Sequence, residues 1–143
     1  MTDPFDLDRY VRAQDAGGTH DRALGELRRG RKSSHWMWFV LPQITGLGHS
    51  GMDRTYAIRS LDEARAYLGH PVLGARLREA AGVVLEAPAT SADDLMGGID
   101  AVKLRSSMTL FGRADPSEPV FRAVLDRWFG GDEDDLTLAR LRA

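Results

Sequence analysis

Apolar residues in this chain recur at intervals of three and four, Gly and Pro cut the pattern into short segments, and few runs alternate as a strand requires. The pattern predicts a mainly α fold, a compact multi-helical single domain over residues 1–143. A first helix is expected after Asp3-Pro4, with Phe5, Leu7, Tyr10 and Val11 on one side and a stop at Gly17-Gly18. Thr19 is placed to cap a second helix, which carries Ala23, Leu24 and Leu27 inward and ends near Gly30. Ser34 is expected to cap a third helix reaching Leu41 and closed by Pro42, although the aromatic and β-branched content also permits a buried strand. Gly46-Leu47-Gly48-His49-Ser50-Gly51 is too rich in glycine for regular structure and reads as a loop.

Beyond that loop the helix signals are clearer. Ser60-Leu61-Asp62-Glu63 has the form of a capping box and opens a helix to Leu68, before Gly69-His70-Pro71. A longer helix, expected to be central, runs from Val72 to Glu86 with Leu73, Leu77, Ala81, Val84 and Leu85 at helical spacing. Ser91 caps a short helix holding Leu95 and Met96 that ends at Gly97-Gly98, and Asp100 is placed to cap the next, from Ala101 to about Phe111. Pro119 starts a helix from Val120 to Phe129 that Gly130-Gly131 stops, and a weakly amphipathic segment from Leu136 to Leu141 closes the chain.

The segment Ser33 to Gln43 holds two of the three tryptophans and one of the four histidines in a single apolar run. On a helix, His35 would lie in the first turn on the face of Phe39, where free amide donors keep an imidazole neutral and able to accept a proton or bind a ligand near pH 7. The alternative is a core histidine, bonded to a backbone carbonyl and enclosed by Trp36 and Trp38. A second polar cluster runs from Lys103 to Phe111. Helical spacing aligns Lys103 with Ser106 and Ser107, and Arg105 with Thr109, a set suited to a phosphate or carboxylate. It also has a plain reading as a solvated helix face. Arg28, Arg29, Arg31 and Lys32 gather at the end of the second helix, where its dipole favours cations and where a partner could dock.

Composition narrows the chemistry. The chain has no cysteine, which removes disulfides, thiolate nucleophiles and cysteine-bound metal. A net charge of −2 lacks the basic field that recruits nucleic acid. No run approaches the roughly 20 apolar residues of a membrane span and the N-terminus has no signal pattern, so a cytoplasmic location is expected. The four histidines show no i,i+3 or i,i+4 pair, and no metal or other cofactor is expected. Gly46-x-Gly48-x-x-Gly51 matches a dinucleotide fingerprint in letters but lacks the preceding strand and the acidic residue downstream. A G-x-S-x-G elbow is absent, and Asp93-Asp94 and Asp132 to Asp135 read as helix starts or solvated charge.

Ser34-His35-Trp36-Met37-Trp38-Phe39, Pro42-Gln43, Gly46-Leu47-Gly48, Ser60 to Ala64, Tyr67-Leu68, His70 to Gly74 and Lys103 to Phe111 together resemble the bacterial DUF1810 family, the Rv1873-like superfamily. The resemblance covers nearly the whole chain and implies a compact, mainly helical domain with no established activity. A calpain-inhibitor role, attached to some members, does not fit a chain that reads as folded and has no disordered inhibitory repeat. The two polar clusters coincide with the most recognisable motifs of that family. The leading expectation is that His35, Trp36 and Trp38 meet Lys103, Arg105 and Ser106 in one cleft for a small anionic or nucleotide-like ligand. His35 would be its acid or base if the protein is an enzyme. The alternative is a non-catalytic protein-interaction domain with the Trp/His segment as core, and exposure of His35 beside Lys103 separates the two.

Overall fold

The computed structural model describes residues 2–142. Among them the regular structure is helical. In chain order the helices are α1 (Asp8–Asp15), α2 (Thr19–Arg28), α3 (Met37–Val40), α4 (Gly51–Tyr56), α5 (Leu61–Gly69), α6 (Leu73–Glu86), α7 (Ala92–Met96), α8 (Gly98–Ala114), α9 (Pro119–Phe129) and α10 (Asp135–Arg142). The one trace of β structure among the described residues is a parallel bridge between Ile44 and Ile58, closed by Thr45 N–H to the Ile58 carbonyl at 2.8 Å and Ile58 N–H to that of Gln43 at 2.9 Å. No helix among the described residues is long and apolar enough to cross a membrane.

Local chemistry sets most boundaries where the sequence places them. Ser60 and Ser91 accept the N–H groups of Glu63 and Asp94 and cap α5 and α7. Pro119 opens α9, and Gly130, at φ 62°, ends it in the left-handed region open to glycine. Besides α3 and α4, whose starts belong to the site, three starts differ from expectation. The Asp3 carboxylate accepts the N–H groups of Leu7 and Asp8 at 2.8 and 3.0 Å, so α1 begins at Asp8 and not after Pro4. Thr19 lies inside α2, its hydroxyl donating to the Ala16 carbonyl, and Gly18 takes the cap position. Asp100 lies within the first turn of α8, which opens two residues earlier at Gly98.

The centre belongs to two helices. α6 packs on α2, α5 and α9 as its apolar stripe predicts, while α8 touches α5, α7, α9 and α10 and buries Leu104, Met108, Leu110 and Phe111 completely. An aromatic series threads the core. Tyr10 meets Tyr67 edge-on at 5.1 Å, Tyr67 meets Phe111 at 5.3 Å, and Phe111 meets Phe121 at 6.0 Å, which joins α1, α5, α8 and α9.

One buried charge ties the N-terminus into this core. The Glu63 carboxylate has no exposure, and Arg9 Nη2 reaches it at 3.0 Å while also donating to Tyr10 Oη and to the Ala57 carbonyl. Arg59 Nε supplies a second cation at 3.2 Å. Breaking a buried pair from one side strands the other charge and costs about 3–5 kcal/mol. Glu63→Ala is therefore expected to lose that much stability in urea unfolding with an unchanged slope, and a loss under about 1 kcal/mol would refute the account.

Candidate functional site

The Ser33–Trp36 segment is shaped by Glu26 on α2. This carboxylate is 2% exposed and accepts the N–H groups of Ser33 at 2.8 Å and Ser34 at 3.0 Å, the Ser34 hydroxyl, and Trp36 Nε1 at 2.9 Å. The Ser34 hydroxyl is thus spent on Glu26 instead of capping a helix. Regular structure starts only at Met37 and lasts one turn, so the expected helix from Ser34 to Leu41 is cut to Met37–Val40. His35 lies before that helix, not in its first turn, and is exposed, whereas Trp36 points inward and is fully buried.

His35 and Trp38 stand on a cleft of about 370 Å³ bounded on its far side by the start of α8. Their rings lie 6.4 Å apart and 34° from parallel. Lys32 and Lys103 both line this cleft. Lys32 Nζ sits 4.9 Å from the Trp36 ring centre, donates to the Ser34 carbonyl and pairs with Asp100 at 2.8 Å. Lys103 Nζ lies 5.5 Å over the Trp38 ring and 3.3 Å from Asp53. Each ammonium is held between an indole face and one carboxylate. Gly97, at φ 86°, turns the chain into α8, and no atom lies within 4 Å of where its Cβ would stand. Gly98, Ile99 and Asp100 of the first turn of α8 line the same space.

The structure brings His35, Trp36, Trp38 and Lys103 together, and it takes Arg105 and Ser106 away from them. At about 100° per residue, Arg105 falls on another side of α8 from Lys103. Arg105 donates to the carbonyls of Asp132 and Glu133 at 3.0 and 2.7 Å. Ser106 is buried and donates to Asp134 Oδ2 at 3.1 Å. That same oxygen caps α10 by accepting from Thr137 N–H and Oγ1. These two residues hold the segment that leads into the C-terminal helix.

Sequence reasoning missed Glu26, Asp53 and Asp100 as parts of the site, and gave Lys32 only a dipole or docking role. For Asp53 a signal was present: Ser50-x-x-Asp53 is a reciprocal capping box that opens α4 inside what reads as a loop. Glu26 carries no local signal, because its donors lie seven to ten residues downstream.

Burial raises the Glu26 carboxyl, and the hydrogen bonds from Ser34, Ser33 and Trp36 overcome it and bring the group down to about 2. A carboxylate held below its unfolded value stabilises the fold fully above that value and less as pH falls toward the folded one. Stability should therefore drop between about pH 4.5 and pH 2, Glu26 contributing roughly 2–3 kcal/mol of the loss. Replacement by Gln should lower the neutral-pH melting temperature and flatten this acid limb. An acid limb of unchanged steepness in Glu26→Gln would show that another carboxylate governs it.

The class that fold and site define is an all-helical domain with an open, aromatic-lined cleft braced by two ion-paired lysines. A family model described as "Protein of unknown function (DUF1810)" matches residues 4–141, and the chain belongs to that family. The crystal structure of the conserved hypothetical protein Rv1873 from Mycobacterium tuberculosis is similar to it over 99% of both chains, with 48% sequence identity and a TM-score of 0.94. No curated protein matches the chain.

Proposed function

We propose that this protein binds a small anionic, nucleotide-like ligand in the cleft between the Ser33–Trp38 segment and the start of α8. The observation that carries the reading is the placement of His35, exposed on an open cleft that Lys103 also lines. A planar ring would stack on Trp38, and its negative charge would lie between Lys103 and Lys32, near the α8 amides. Any proton transfer on the ligand would use His35. The reading keeps His35, Trp38 and Lys103 in the roles their residue types suggest and withdraws Arg105 and Ser106.

A non-catalytic interaction domain is the competing reading, and two observations favour it. Trp36 is entirely core, and Ile99 and Val102 stand 77% and 62% exposed on α8 beside the cleft. A thermal-shift panel of nucleotides, sugar phosphates and small carboxylates separates the two. A ligand at 100 times its dissociation constant should add about 2.7 kcal/mol to the wild type. That stabilisation should vanish in Lys103→Ala and persist in Arg105→Ala, whose own melting temperature falls because α10 loses its anchor. A panel with no stabilising member would overturn the ligand reading in favour of a protein partner.

A further inference from the structure

Three cavities lie side by side on this flank of the molecule, each sharing a wall with the next. The cleft shares Trp38 and Lys103 with a narrow pocket of about 10 Å³, room for one water molecule. That cavity shares Gln43 and Asp53 with a groove of about 250 Å³ beneath the Gly46–Gly48 loop, where Arg54 lies. The wall between cleft and groove holds the ion pair of Lys103 Nζ with Asp53 Oδ1 at 3.3 Å, beside Met37, Gln43 and Ala57.

The two members of that pair differ in freedom. Asp53 is fixed: its Oδ2 accepts Ser50 N–H and Oγ at 3.1 and 2.7 Å, and Gly48 presses so near that a Cβ there would come within 2.4 Å of the carboxylate carbon. Lys103 ends in a flexible four-carbon stem and can swing. Asp53 thus occupies the place beside Lys103 that a ligand anion would take. Beyond it stand a guanidinium suited to phosphate and an amide able to donate and accept.

We infer that cleft and groove are two halves of one site for a nucleoside diphosphate, closed in the free protein by the Lys103–Asp53 pair. The ring stacks on Trp38, one phosphate takes Lys103 from Asp53, and the second reaches Arg54 past Gln43. The inference rests on the ligand reading above and extends it across the partition.

The test is titration of the ¹⁵N-labelled protein with AMP and with ADP, following the Trp38 indole, the Gln43 amide and the Arg54 guanidinium signals, with affinities from calorimetry. ADP should move all three and bind about tenfold tighter than AMP, which moves Trp38 alone. Arg54→Ala, a change at an exposed residue, should reduce ADP to the AMP affinity and leave AMP unchanged. Asp53→Asn, which keeps an oxygen for Ser50, should tighten AMP several-fold by releasing Lys103. Equal AMP and ADP affinities with Gln43 and Arg54 unmoved would overturn the joined site and leave the cleft standing. Weaker AMP binding by a normally melting Asp53→Asn protein would overturn the partition. A Trp38 signal unmoved by either nucleotide would overturn the ligand reading and this inference with it.

Discussion

A carboxylate removed from water must be surrounded by donors, and Glu26 is surrounded by four from one short segment. The geometry of the cleft depends on that requirement. Two consecutive peptide N–H groups and a serine hydroxyl turned toward one buried point leave no way for Ser33 to Trp36 to continue as helix. With Trp36 drawn in by its indole N–H, the residue before it faces outward, and that residue is His35. The exposed imidazole and the buried indole are therefore two consequences of one electrostatic demand.

The lysines of the cleft follow a second rule. A bare ammonium against an apolar wall would be poorly solvated, and each of these is steadied by an indole face and a carboxylate. Lys32 is the more deeply held, with a carbonyl as well as Asp100. Lys103 has the looser contact, and its carboxylate partner belongs to a different helix from its own. The cleft is fixed in its aromatic part and looser in its charged part, which under the proposed ligand reading suits selecting a ring first and an anion second.

Membership of a family without an assigned activity carries the fold and leaves function to the site itself. The relation to the mycobacterial protein spans both chains from end to end, so the helical scaffold is shared as a whole. Function has to be argued from the side chains that the scaffold turns toward solvent. At the proposed site those are His35, Trp38 and Lys103, with Asp53 at the boundary to the neighbouring groove.

Helical class, most helix boundaries and the apolar faces of α2, α6 and α9 were legible in the sequence, because capping, proline placement and periodicity act over three or four residues. The capped starts at Ser60 and Ser91 and the glycine stop at Gly130 are of this kind. The juxtaposition of the His35 segment with Lys103 was also anticipated, since both motifs stood out for their residue types. What remained hidden depended on partners far apart in the chain. Glu26 bends the segment around His35, the groups at residues 132–134 claim Arg105 and Ser106, and Asp53 meets Lys103 from a distance of 50 residues. A buried polar group takes its partner wherever packing brings one within reach, and only the tertiary structure decides where that is.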